Sequence, residues 1–317
     1  MTIQNHEIRL ESNEHFNGRP PTHHLGYLLA DLPIAIGGAV SMAIRNRSRS
    51  PGKQPKWLRK ASDLRFAGHS GNGFTHLNFQ LPSLQEAAPE VYSQQELFDT
   101  GRPNGNLTGL DLLMRVFSDI DNSRVDSNAF DSQLLRLVTR FKRFFARGPF
   151  SRFGISGCNQ GAEDAVWVTQ STLENCNLLY GCTPTPQRVR LVGKLDGLEA
   201  STQRFSLVLD TGDRVAGVYP EEISDSLQKL WRQRVLVLGT SVFRASGNLL
   251  RIEADAIEDG SHASGLFSKT PIPANSRLDA NRLRKPQGTR SGMAAIMGRW
   301  PGDETEAEIE MALELIS

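Results

Sequence analysis

Residues 188–258 constrain the fold of this chain most strongly, because short apolar segments follow one another there with turn-forming residues between them. The segments are rich in β-branched residues, which favours β-strands. They lie at 189–195, 205–209, 215–219, 235–243 and 249–254. The stretches 210–213 and 245–248 are typical of turns, and 221–231 has the pattern of a helix. The sequence therefore predicts five strands, with one helix between the third and the fourth.

This order of elements is that of an OB-type barrel, which closes its sheet and so leaves few exposed strand edges. Such a barrel often binds single-stranded nucleic acid on the face of its second and third strands. If Phe205 and Leu207 point into the barrel, Arg204 points out of it. Tyr219 is the only ring nearby that could stack on a base. We predict an OB-like β-barrel over 186–260 with a structural or protein-binding role, and we leave nucleic-acid binding open.

The rest of the chain divides into four further segments. The first, 1–24, is polar, and its apolar residues do not recur at a regular spacing, which predicts a flexible lead-in. A mixed α+β domain is expected over 25–185, a basic linker over 261–298 and an amphipathic tail helix over 299–317. The predicted fold class is therefore α+β: a mixed N-terminal helical and hairpin domain, a small OB-like β-barrel and a C-terminal helical tail.

Two supersecondary units are expected within the mixed domain. The segments 64–67 and 74–81 read as strands of a hairpin, joined by a glycine-rich loop. The segments 107–120 and 130–147 have helical periodicity and a polar turn between them, which predicts an antiparallel pair of helices.

Residues 25–44 are the only stretch that suggests a membrane span. Asp31, Pro33 and the pair Gly37 and Gly38 interrupt it, so its unbroken apolar part is too short for a bilayer and a buried helix is expected. The N-terminus has no basic region leading into an apolar core, so it does not read as a secretory signal. The 3 cysteines are odd in number and lack the paired spacing of a zinc site. We predict a cytoplasmic protein with no membrane contact and with no metal or other cofactor.

Local basic clusters are the candidates for nucleic-acid contacts, because a net charge of +1 excludes a polybasic protein. One cluster lies in a loop rich in Ser, Pro and Gly, and the other repeats along one face of the predicted helix 130–147. The residues are Arg45, Arg47, Arg49 and Lys53 in the loop, and Arg136, Arg140, Arg143 and Arg147 on the helix. Such charge is either simply solvated or contacts a phosphate backbone.

No catalytic motif is recognisable in the sequence: it has no G-x-S-x-G, no H-E-x-x-H and no Walker loop. The acids Asp119, Asp121, Asp126 and Asp131 flank the predicted helical turn, where caps and solvated carboxylates are expected. The sequence therefore indicates a binding protein rather than an enzyme, and it assigns no catalytic residue. A metal-dependent nuclease assembled from scattered acids stays open.

The C-terminal segment reverses its charge abruptly. From Arg277 to Arg299 there are six basic residues against one acid, Asp279, whereas 303–314 contains only acids among its charged residues. Thr305 and Glu308 have the spacing of a capping box, so a helix is expected from about residue 306.

The predicted tail helix has one narrow apolar stripe, formed by Ile309, Ala312, Leu313 and Ile316. A helix this short is marginal in water by itself. It therefore needs a surface to bind, either on the globular part of this chain or on another protein.

The ending at 298–305, Gly-Arg-Trp-Pro-Gly-Asp-Glu-Thr, with an acidic helix after it, resembles a C-terminal signature of bacterial proteins encoded beside PIN-domain ribonucleases. The whole chain is similar to larger, uncharacterised bacterial proteins with the same ending. The shared elements include 86–90, 95–98, 188–196, 246–253 and 290–300. Short proteins with this ending resemble antitoxins, so the resemblance implies that the tail occupies the catalytic groove of a PIN-type ribonuclease toxin.

The chemistry of the tail is compatible with that role. A PIN nuclease holds a divalent metal with clustered carboxylates, and an inserted arginine would replace the charge of the cation and block RNA. The candidate partner-binding residues are Arg290 and Arg299 for insertion, Trp300 as an apolar anchor, and Ile309, Leu313 and Ile316 as helical contacts. The predicted function is antitoxin-like neutralisation of a ribonuclease, and the alternative is a nucleic-acid-binding protein. A tail that only braces its own globular part stays open.

Overall fold

The computed structural model describes residues 3–14, 16, 19–50, 52–71, 74–93, 101–157, 165–274, 305 and 307. Met1–Pro273 forms one compact unit and Ala274–Ser317 a second. The first unit contains both the region predicted as a mixed α+β domain and the region predicted as a barrel. It combines several helices with two five-stranded sheets.

The first sheet consists of antiparallel strands in the order β2-β3-β1-β4-β5. Its strands are β1 Ile3–Ser12, β2 Arg65–Ser70, β3 Thr75–Pro82, β4 Phe150–Ser156 and β5 Val166–Thr169. The accompanying helices are α1 Thr22–Arg45, α2 Lys56–Ala61, α3 Leu84–Ala87, α4 Pro89–Tyr92, α5 Gly109–Asp121, α6 Ser132–Val138, α7 Lys142–Phe145 and α8 Gln170–Cys182. The predicted hairpin is confirmed as β2 and β3.

Strand β1 lies at the centre of this sheet, between β3 and β4. Its residues Ile8 and Leu10 are buried at alternate positions, and Leu77 and Phe79 of β3 share that buried face. The prediction of a flexible lead-in over 1–24 is therefore wrong for β1. Only every second side chain of the strand meets the core, so its average composition remains polar.

Helix α1 runs through the core of the unit. Its fully buried residues recur at every fourth position: Leu28, Leu32, Ile36, Val40 and Ile44. Among the described helices it is the one that is long and apolar enough to cross a membrane by length and composition, and 61% of its most apolar window is buried inside the unit. The expectation of a buried helix at 25–44 agrees with this placement.

The predicted pair of helices differs from the structure. Helix α5 is confirmed and begins with a capping box of Thr108 and Asp111. The segment 130–147 is broken into α6, a 3-10 turn at Thr139–Phe141 and α7. The Thr139 hydroxyl donates to the Arg136 carbonyl, a side-chain bond that competes with helical pairing. Helices α5 and α6 do not pack as a hairpin, because each packs against α1 and α8 instead.

The second sheet closes on itself as a barrel, in the order β10-β8-β7-β6-β9. Its strands are β6 Gln187–Glu199, β7 Arg204–Val208, β8 Arg214–Val218, β9 Arg234–Phe243 and β10 Leu249–Asp259. The 3-10 turn Glu221–Ile223 and helix α9, Ser224–Lys229, lie between β8 and β9. All neighbouring strands are antiparallel except β8 and β10, which are parallel. The five predicted strands and the predicted helix are confirmed.

The barrel interior depends on one close approach between neighbouring strands. Phe205 of β7 and Gly217 of β8 are register partners, and the Phe205 ring lies against the Gly217 backbone. A β-carbon at Gly217 would overlap that ring, so the glycine provides the space that the aromatic side chain occupies.

We predict that Gly217→Ala destabilises the barrel by about 1–3 kcal/mol, because the added methyl group overpacks the core. Urea unfolding of the full chain measures the change. Gly181→Ala is the matched control, since Gly181 is exposed on α8 and nothing lies within 4 Å of its added β-carbon. A Gly217→Ala variant as stable as the parent chain would show that Phe205 can move aside at no cost.

Candidate functional site

The six candidate partner-binding residues of the tail lie outside the described residues. They are Arg290, Arg299, Trp300, Ile309, Leu313 and Ile316. The eight candidates for nucleic-acid contact lie in the described unit, so the structure places each of them.

The last residue of α1 and the basic loop after it turn two arginines toward the barrel. Arg45 is buried, and its guanidinium donates to Oε1 of Gln203, which lies in the turn between β6 and β7. Arg47 donates to the same oxygen at 3.0 Å. Burial, with a contribution from Arg47, lowers the pKa of Arg45 to about 10, so the side chain stays charged at neutral pH. The same loop leaves Arg49 and Lys53 exposed.

The predicted arginine stripe is not an open face. Arg140 and Arg143 both form ion pairs with the buried carboxylate of Asp31 on α1, at 2.8 and 2.6 Å. The Arg143 guanidinium also lies 5.1 Å from the ring centroid of Tyr27. Arg136 and Arg147 are exposed. The stripe thus divides into two residues that fasten 139–145 to α1 and two that face solvent.

A buried ion pair joins the barrel to the N-terminal half of the first unit, which comprises the first sheet and helices α1 to α8. Nη2 of Arg251 on β10 lies 2.9 Å from Oδ2 of Asp131, and both side chains are at most 3% exposed. The Asp131 carboxylate also caps α6, accepting from the amide of Leu134 at 2.9 Å, and it accepts from Ser48. Burial raises the pKa of Asp131, but the attraction of Arg251 and the hydrogen bonds outweigh burial, and the pKa is lowered.

The other predicted acids of this region also serve as structural acceptors. Asp119 accepts from Ser127 at 2.6 Å, Asp121 accepts from Thr172 at 2.8 Å, and Asp126 accepts from Ser246 at 2.7 Å. In the part of the chain that the structure describes, no group of three or more His, Cys, Asp and Glu side chains is placed to hold a metal ion.

His6, Thr108 and Asp111 form a hydrogen-bonded row that resembles a catalytic arrangement. Nε2 of His6 lies 2.9 Å from the Thr108 hydroxyl, which lies 2.9 Å from Oδ2 of Asp111. Nδ1 of His6 lies 3.3 Å from the carbonyl of Ser156. His6 and Thr108 are buried and Asp111 is half-buried, so the row serves to join β1, β4 and α5.

A cleft of about 400 Å³ lies beside the ion pairs, where α1 and α5 meet the barrel. Four arginines from separate segments line it: Arg102, Arg115, Arg204 and Arg244. Met42, Leu112, Val116 and Leu250 contribute apolar surface. Of these four residues, the sequence pattern indicates only Arg204, as an outward-facing residue of the second barrel strand. The four residues share no spacing in the sequence, so only the tertiary fold brings them together.

Comparisons of the chain with family models, with curated proteins and with solved structures found no match. What the chain binds must therefore be inferred from its own residues.

We predict that replacing Arg251 by leucine lowers the free energy of unfolding by about 3–5 kcal/mol, because the Asp131 carboxylate stays buried without its cation. Urea unfolding measures the loss. Arg188→Leu is the matched control, since its ion pair with Asp255 on the same barrel is largely exposed, and we expect little change there. An Arg251 variant as stable as this control would mean that the pair contributes nothing to holding the unit together.

We also predict that the free energy of unfolding depends on pH through His6. Burial lowers the pKa of His6, although Asp111 and the Ser156 carbonyl oppose the shift. The unfolded chain therefore takes up a proton at higher pH than the folded chain does, so the free energy of unfolding falls as the pH drops below about 6.5. Unfolding at pH 7.5 and 5.5 should show a larger loss for the parent chain than for His6→Gln. Equal losses would exclude His6 as the group responsible.

Proposed function

We propose that this chain is an antitoxin-like binding protein that neutralises a cognate PIN-type ribonuclease through its C-terminal tail. The tail sequence supports this function, because a basic arm, an aromatic residue and an acidic amphipathic segment follow one another over 277–317. A basic arm suits a carboxylate-lined catalytic groove, and Trp300 is large enough to anchor a complex. On this proposal the protein acts in the cytoplasm, where a ribonuclease toxin meets RNA.

One observation favours the tail over the basic surfaces as the binding element. Arg140 and Arg143 are paired with Asp31, and Arg45 and Arg47 are bonded to Gln203. These four side chains are thus oriented by partners within the unit, and a phosphate backbone would compete with those partners. Four of the eight arginine and lysine candidates therefore form contacts within the fold.

We further propose that the closed sheet is an OB-like barrel with a structural role. Counting β6 to β10 as first to fifth, the first strand pairs with the second and fourth, and the third pairs in parallel with the fifth. A helix precedes the fourth strand. This arrangement supports an OB-like fold. The face of its second and third strands turns toward the N-terminal half, since Arg204 and Ala216 line the cleft there, and so it is not an open nucleic-acid platform.

We predict that the full-length chain recovers a PIN-type ribonuclease from its native host and that a version ending at Met297 does not, because the truncation removes Arg299, Trp300 and the apolar stripe. The recovered nuclease is identified by mass spectrometry. Its cleavage of an RNA substrate is then measured with and without the full-length chain, and inhibition is expected only with the intact tail.

Single substitutions make this test specific. Trp300→Ala should weaken inhibition at least about tenfold, as expected for an apolar anchor. Trp231→Ala is the matched control, because Trp231 is an exposed tryptophan of the described unit, 39% accessible. If the truncated and full-length chains recover the same nuclease, or if both recover only nucleic acid, the tail is not the binding element. Binding of nucleic acid would fall steeply with added salt.

A further inference from the structure

The cleft between the N-terminal helices and the barrel gathers positive charge from four parts of the chain. Arg102 precedes α5, Arg115 lies within α5, Arg204 begins β7 and Arg244 follows β9. None of the described residues that line the cleft is acidic. We propose that this cleft binds a small organic phosphate, independently of the tail, with Arg115 and Arg244 holding the phosphate group.

Arg115 provides a charge that the fold does not use. Its side chain is exposed at the cleft, and the described residues offer it no hydrogen bond and no ion pair. A cation at a concave site with low-dielectric walls attracts anions more strongly than one on an open convex surface. Because Arg115 is exposed and no hydrogen bond or ion pair of the described residues depends on it, a substitution there tests binding with little effect on the fold.

Arg244 provides a guanidinium whose orientation is already fixed. Its Nε donates to Oδ1 of Asn128 at 3.0 Å, Nη2 donates to the same oxygen, and Nη1 donates to the carbonyl of Leu249. These bonds use three of the five N–H groups, so each terminal nitrogen keeps one hydrogen for a ligand. A guanidinium held in place loses little side-chain entropy when it binds an oxyanion.

The acidic residues near the cleft compensate only part of its positive charge. Asp126 lies 3.9 Å from Nε of Arg244 and forms a loose ion pair with it, while the same carboxylate accepts from Ser246 at 2.7 Å and from Asn248 at 3.1 Å. Glu199 balances Arg102, with which it forms an ion pair. Arg115 has no ion pair among the described residues, so the cleft keeps a positive charge that the two negative charges of a phosphate monoester satisfy better than the single charge of a carboxylate.

The rest of the cleft fits the organic part of such a ligand. Met42, Leu112, Val116 and Leu250 form apolar surface beside the arginines. The volume of about 400 Å³ lies within the range of about 300–1,000 Å³ that is usual for small-molecule sites. Arg102 and Arg115 also line a neighbouring recess.

The test uses 1-naphthyl phosphate as the probe, with the full chain and isothermal titration at constant ionic strength. Two control ligands each lack one part of the probe. 1-Naphthol lacks the charged phosphate group, and inorganic phosphate lacks the apolar ring system. We expect the phosphate ester to bind at least about tenfold more tightly than either part, because only the ester uses both the arginines and the apolar surface.

Substitutions then assign the site. Arg115→Gln should weaken binding of 1-naphthyl phosphate at least about tenfold and leave the melting temperature unchanged. Arg136→Gln is the matched control, since Arg136 is an exposed arginine on α6 away from the cleft, and it should bind as the parent chain does. The proposal is overturned by any one of three results: no binding of the ester, equal binding of 1-naphthol, or equal affinity of the Arg115 variant and the parent chain.

Discussion

The contact between Asp131 and Arg251 is the interaction on which the arrangement of the first unit depends. It joins the start of α6 to β10, two elements separated by 120 residues in the sequence. A buried pair of this kind gains little net stability from its own attraction, but it penalises every arrangement in which either charge is buried alone. Since the pKa of Asp131 is lowered, the pair is intact at neutral pH and is lost only as the pH falls below the ordinary aspartate value of about 3.9. It therefore specifies how the barrel docks.

The surrounding arginines extend the same contact. Arg45 and Arg47 reach the turn between β6 and β7, and Arg102 reaches Glu199 at the end of β6. Burial lowers the pKa of Arg47. The negative charge of Glu253 opposes this shift, and the positive charge of Arg251 adds to it. Arginines and their acidic partners are thus concentrated where the two halves meet.

The sequence predicts those elements whose pattern is local. The barrel strands have apolar or alternating segments with Asp, Gly and Asn at the turns between them. Helix α5 has a capping box and apolar residues that recur at helical spacing. Strand β1 is missed because seven of its ten residues are polar and its neighbours in the sheet, β3 and β4, lie far along the chain. The pairing of Arg143 with Asp31, 112 residues away, is likewise not visible in any spacing. A row of arginines at helical intervals gives the same pattern whether it faces solvent or a buried carboxylate.

The cleft follows from how the barrel is docked. The β7 and β8 face of the barrel turns toward α1 and α5, and small side chains such as Ala39 and Ala216 cannot fill the space between them. What remains is a cavity with arginines from both halves and an apolar surface between them. A ligand there would contact both halves at once, so it would stabilise the docked arrangement by an amount set by its concentration and affinity. Binding in the cleft and integrity of the Asp131 and Arg251 contact are therefore thermodynamically coupled, because the cleft exists only when the two halves are joined.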